Sequence, residues 1–278
     1  MLKSLLNPKV RVTLFVVLLN AAWIIAASLW LERSQWLWIT PFALSINFLL
    51  MAYDQVLTFS HLESEPLRGQ DPWGLLKLVH QMSEHFQVRE PEIHLLRHPS
   101  AHIFAYAKTG RKTRMFVTEG LLDLLNPEEL RAVLTFQMVA MQGSFTYLNY
   151  WLGAAIDILL RAGRGLEKIT GFIFGWSPEI KGYFVGPFIW LFQSFLLGPR
   201  DFQNLDQKTA LKISHPEDLA RALWKMEAYA QTRPWQEPWV FSHMCMVSPL
   251  GPKPLFRFLQ PQPQLKSRIK RLVGRYPL

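Results

Sequence analysis

The sequence predicts a mainly α-helical membrane protein that carries an α+β soluble part with a small β-sheet. Three observations predict this: a hydrophobic composition short of charge, several long uncharged stretches, and strand-like and helical patterns that alternate between them. Half of the 278 residues are hydrophobic and 18% are charged, whereas typical soluble domains carry about 25% charge. Tryptophan (11) and phenylalanine (19) are plentiful, as suits membrane interfaces and apolar cores.

Val12 to Leu31 carries no charge. As a helix it would span roughly 30 Å, the thickness of a bilayer core. A second uncharged run, Trp36 to Tyr53, follows after only Glu32-Arg33-Ser34-Gln35. The pair reads as a transmembrane hairpin rather than a signal peptide, because the first run is long and a second follows at once. Lys3, Lys9 and Arg11 precede it, which places the N-terminus in the cytosol by the positive-inside rule.

Residues 72–90 show a helical pattern, with Leu75, Leu76, Leu78, Val79 and Met82 to one side. Strand-like runs follow at Glu92–Leu96, His102–Ala107 and Arg114–Thr118. Asn126-Pro127-Glu128-Glu129 then opens a helix: asparagine caps, proline suits the first turn, and the acids favour the helix dipole. Uncharged or nearly uncharged stretches return at Gly143–Leu160 and Gly182–Pro199. A basic loop separates them, so full spanning conflicts with the charge rule and shallow insertion does not. Leu219–Tyr229 reads as an amphipathic helix, and residues 233–263, with seven prolines, as loop. The expected organisation is a transmembrane hairpin (1–55), a first soluble part (56–142), a membrane-embedded hairpin (143–199) and a second soluble part (200–278).

The net charge of +9 admits nucleic acid or an anionic membrane surface. The apolar runs favour the membrane, and no nucleic-acid-binding signature accompanies the charge. Lys253 to Leu278 holds seven basic residues and no acid, a solvated face or a contact with anionic lipid. The single cysteine, Cys245, excludes an internal disulfide and a CxxC metal knuckle. Its neighbours Met244 and Met246 fit a buried, inert thiol, and no GxSxG is present. His94, His98 and His102 recur every four residues, but in extended chain such positions lie about 13 Å apart and cannot share one metal.

The stretch Val117-Thr118-Glu119-Gly120-Leu121-Leu122-Asp123-Leu124-Leu125-Asn126-Pro127-Glu128-Glu129-Leu130-Arg131-Ala132-Val133-Leu134 resembles the lead-in to the active-site helix of HtpX-like membrane zinc metallopeptidases. Pro99-Ser100-Ala101-His102-Ile103-Phe104-Ala105 is similar to that family's Pro-x-x-Asn-Ala-Phe-Ala edge strand. Gln262-Pro263-Gln264-Leu265-Lys266-Ser267-Arg268-Ile269 is similar to its terminal His-Pro-Pro-Leu-Glu-Glu-Arg-Ile. The resemblance implies a zincin-like soluble part and about four transmembrane or membrane-embedded helices. In the family the lead-in continues Ala-His-Glu-Leu-x-His. Histidines four apart grip one zinc from one helical face, and the glutamate is the general base. Here Phe136, Gln137 and Ala140 stand at those positions. The third ligand, a glutamate in a Ser-Arg-x-x-Glu-x-x-Ala-Asp pattern, aligns with Gln203, and the aspartate with Gln207; a one-residue shift brings Asp206 forward instead.

The resemblance therefore implies a degenerate member: a pseudopeptidase of a bacterial-type inner membrane, multi-pass, its soluble part facing the cytosol. No cofactor is expected in place of the family's zinc. The edge strand His102, Ile103, Phe104, Ala105 and Tyr106 is the expected peptide-binding element. The expected partners are the lipid bilayer and extended segments of membrane proteins or a partner membrane protein. Two alternatives stand beside this: an active peptidase with a displaced metal site, and a structural membrane subunit without a peptide groove.

Overall fold

A computed structural model describes residues 64–107 except 70, then 112–143, 145–153, 196–235, 241–249 and 261–274, with scattered residues elsewhere. The chain divides into two compact units, Met1–His61 and Leu62–Leu278. In the first, the described residues from Val10 to Ala21 are helical, and Val10, Leu14 and Val17 expose apolar side chains. The stretches 12–31, 36–53 and 182–199 lie wholly or mostly outside the described residues, and 143–160 does so in part. Among the described residues no helix is long and apolar enough to cross a membrane.

The second unit begins with β1 (Ser64–Pro66), α1 (Leu75–His85), β2 (Glu92–Leu96), β3 (Ile103–Tyr106) and β4 (Arg114–Thr118). It continues with α2 (Glu119–Leu124), α3 (Pro127–Gln142), α4 (Pro199–Ala210), α5 (Pro216–Thr232) and α6 (Leu265–Val273). Helix α1 buries Leu75, Val79 and Met82, spaced four and three residues apart on one face. It is shorter than the 72–90 pattern. Gly74 precedes it at φ 64°, a left-handed conformation that favours glycine, and the Asp71 carboxylate accepts the Leu76 amide at 2.6 Å. At the other end Gln87 takes φ 52° and the chain turns away.

The sheet has the order β1-β2-β4-β3. β1 is antiparallel to β2, β2 parallel to β4, and β3 antiparallel to β4. Side-chain alternation gives it two distinct faces. The register aligns His94, Phe116 and Phe104 across three strands, and their rings stack at 5.1 Å between neighbours. Phe241, from the proline-rich segment, continues this stack at 5.5 Å from Phe104. The other face aligns Ile93, Met115 and Ala105, all buried.

Helix α3 starts as its sequence dictates. The Asn126 side chain accepts the Glu129 amide at 2.8 Å, and the Glu129 carboxylate accepts the Asn126 amide at 3.1 Å. Lys225 of α5 donates to the same carboxylate at 2.8 Å. From Ala132 to Ala140 every residue is buried, the mark of a core helix; α3 packs on α1, α4 and α5 and touches β3. Gly120 ties the start of α2 to the 98–100 turn. Its amide donates to the His98 carbonyl at 3.1 Å, and a Cβ there would sit 2.0 Å from the Pro99 carbonyl oxygen.

Candidate functional site

Phe136, Gln137 and Ala140 lie together on the buried part of α3. Helix α4 faces them with a stripe of Phe202, Leu205, Asp206 and Thr209, all buried. From α6, Arg268 enters the same space and is 2% exposed. Its Nε and Nη2 donate to the two carboxylate oxygens of Asp206, each at 2.7 Å. Its Nη1 donates to the Met246 carbonyl at 2.5 Å. The guanidinium lies 5.9 Å from the ring centres of both Phe136 and Phe202, so two aromatic faces flank a bidentate ion pair.

Gln203 is elsewhere. It is half-buried at the outer rim of α4, where its Oε1 accepts from Arg271 Nη1 at 2.6 Å; Gln207 is exposed. Phe202 of α4 shares the Arg268 guanidinium with Phe136. This geometry favours the one-residue shift, which puts Phe202 at the ligand position and Asp206 at the family's aspartate position. Arg268 stands at the arginine of the terminal pattern. Asp206 and Arg268 bond each other.

A zinc ion fits this donor set poorly. It would meet the ring carbons of Phe136 and Phe202, the methyl of Ala140 and a permanent cation that already holds both oxygens of Asp206. Among the described residues, no group of three or more histidine, cysteine, aspartate or glutamate side chains is placed to hold a metal.

The segment 241–249 closes the site from one side. The Gln262 amide donates to the carbonyls of Ser242 and Cys245, so glutamine at the family's histidine position acts as a clasp on this segment. His243 Nε2 donates to the Asn149 carbonyl at 3.0 Å, and burial pushes its pKa down to about 4. Gly153 allows this approach: a Cβ there would lie 2.6 Å from the Met244 methyl. Burial also pushes the Cys245 thiol up, as expected of an inert cysteine.

The edge-strand residues are gathered at one place, with β3 last in the described sheet. His102, Ile103, Phe104, Ala105 and Tyr106 are all buried. Just beyond β3 the Ala107 amide donates to the Thr146 carbonyl at 3.3 Å, so the helical stretch 145–153 flanks that end of the edge. Trp235 stacks 4.9 Å from His98 and 5.9 Å from His102. The two His102 ring nitrogens have no hydrogen-bond partner among the described residues, and burial drives the pKa down to about 3. His94 is set apart on Phe116. Sequence reasoning missed Trp235, Phe202 and the Asp206–Arg268 pair. The terminal pattern singled out Arg268, but nothing local in the chain announces its partner.

The chain is similar over most of its length to proteins named protease HtpX homolog. One from Pelotomaculum thermopropionicum is 23% identical over 242 residues, 83% of this chain and 85% of its own. Another from Sulfurovum is 26% identical over 243 residues, 83% and 86% of the two chains. A third, from Desulforapulum autotrophicum, is 24% identical over 279 residues, 95% and 89%. A crystal structure of S. mikatae Ste24p aligns with a TM-score of 0.49 at 15% identity, covering 93% of this chain and 62% of that one. No family model matches the chain.

Proposed function

We propose that this chain is a membrane-embedded pseudopeptidase: an HtpX-like protein that has lost zinc-dependent hydrolysis and acts by binding membrane-protein segments or a partner membrane protein. The observation that carries the reading is the apolar, ion-paired filling of the α3–α4–α6 junction. Hydrolysis in this class needs a metal-bound water and a general base. Here the base position is a neutral glutamine, Gln137. The uncharged stretches and the exposed Val10, Leu14 and Val17 of the first unit support lipid as its surroundings, with the second unit facing the cytosol.

Peptide would add to β3, since strand addition relies on main-chain hydrogen bonds and needs no metal. The buried state of 102–106 favours a closed edge that opens when Trp235 and Phe241 are displaced. The test is cleavage of an unfolded membrane-protein substrate by the full chain in detergent, with and without added zinc. No cleavage above a chelator-treated control is expected. Zinc-dependent cleavage would establish the active-peptidase alternative instead.

A further inference from the structure

A basic, partly apolar face built by α4 and α6 is not used by the junction just described. Arg268 meets Asp206 and Arg271 meets Gln203, so α6 runs antiparallel to α4. Lys270 and Arg271 therefore lie beside the start of α4, where the uncharged stretch Gly182–Pro199 ends. Between the helices runs a cleft of about 350 Å³ lined by Gln203, Gln207, Ala210, Leu211, Arg271 and Leu272, with Asp206 at its base. Leu211 is 86% exposed at its rim.

The exposed charges of α4 and α6 are of one sign. Arg200, Lys208, Lys270 and Arg271 are exposed, and α6 contains no acid. The acids of α4 are otherwise engaged: Asp201 accepts the Gly198 amide at 2.9 Å, and Asp206 is held by Arg268. The partner of Arg271 is a neutral amide oxygen, so its charge has no counter-ion in that bond. An exposed leucine on a cleft flanked by basic side chains is matched to an anionic lipid surface.

We infer that the α4–α6 face docks on the anionic headgroup layer of the bilayer, with Arg271 and Arg200 against lipid phosphates and Leu211 reaching the acyl boundary. This rests only on the membrane part of the function proposed above. Charge complementarity selects the occupant, and the chain's own uncharged stretch enters α4 at the same end.

The test uses the full chain carrying Gln207→Cys with an environment-sensitive fluorophore. Cys245 is fully buried, so labelling is confined to the cleft. The labelled chain is reconstituted in bilayers of phosphatidylcholine alone or mixed with phosphatidylglycerol. A blue shift and quenching by lipid-borne quencher are expected only with phosphatidylglycerol. Arg271→Gln should weaken that lipid dependence about fivefold, since one basic side chain near an anionic surface is worth about that factor. Leu211→Ser should reduce the quenching in a chain whose melting is unchanged. Equal signals in both bilayers, or no effect of Arg271→Gln, would overturn the docking while leaving the membrane reading intact. An equal shift from soluble glycerol phosphate would also overturn it. Failure of the chain to incorporate in either bilayer would overturn both.

Discussion

Phe136 is the residue on which the site turns. At a position where HtpX-like enzymes place a zinc ligand, this chain puts a ring that is 1% exposed and packed beside the Arg268 guanidinium. Replacing it with alanine removes that packing and leaves a void beside an ion pair. Phe136→Ala should cost about 3–5 kcal/mol, the range for buried aromatic truncations, read as a lower melting temperature of the detergent-solubilised chain. An unchanged melt would mean that the ring contributes no packing. His102 gives a second residue-scale expectation. Its folded pKa is about 3, against an ordinary 6.5. The unfolded chain therefore binds the extra proton first, and stability must fall as pH drops from about 6.5 towards 3. His243, down at about 4, adds to the same slope. His102→Asn restores the residue of the family's edge strand and should flatten the loss of thermal stability between neutral and acid pH. An identical slope in the variant would place the titration elsewhere. These residues show what sequence could and could not reveal. The replacement at 136, 137 and 140 is legible because α3 has a well-marked start and strict helical spacing. The third position was not, because the α4 pattern is loose enough to slip by one residue, and only the buried stripe through Phe202 and Asp206 decides the register.

At the scale of elements, β2 and β4 match the runs Glu92–Leu96 and Arg114–Thr118, and β3 falls within His102–Ala107. β3 is buried on both faces and β4 nearly so, whereas β2 buries only Ile93 and Leu96. β1 left no signal: it is three residues, Ser-Glu-Pro, paired along β2, and proline there speaks against a strand. The parallel pairing of β2 with β4 was equally hidden, since it depends on β3 stepping outside β4. α6 is marked by Leu265, Ile269 and Leu272 at helical spacing, but the short helix carries as many basic residues as apolar ones, which masks the pattern. The helix at α5 extends beyond Leu219–Tyr229 at both ends, and its start is set by Pro216, which suits the first turn. The proline-rich segment is the element whose role matters most for binding. Of it, Trp235 and Phe241 lie on the aromatic side of β3. A photo-crosslinker in place of Tyr106 should react with this segment in the resting protein and with an added extended membrane segment once the 233–249 cover is shortened. Products confined to the 233–263 loop in both cases would remove β3 as a binding edge and favour the structural-subunit alternative.

For the whole molecule, the unit from Leu62 onward is organised around one junction where α3, α4 and α6 meet. In a metallopeptidase such a junction would be held by the ion. Here the Asp206–Arg268 pair holds α4 to α6, Arg268 also reaches the 241–249 segment through Met246, and Lys225–Glu129 holds α5 to α3. Taking one partner from a buried, bidentate pair typically costs about 3–5 kcal/mol because the other charge is left stranded, so Asp206 and Arg268 are required together. Structural zinc with a full ligand set is worth about 10–16 kcal/mol, and a site lined by Phe136, Ala140 and Phe202 offers little of that. The most direct measurement is the zinc content of the full chain after gentle detergent extraction from cells grown with ample zinc. The account predicts no stoichiometric zinc, and none retained after dialysis against a weak chelator. Zinc bound in a one-to-one ratio to the folded chain would contradict it.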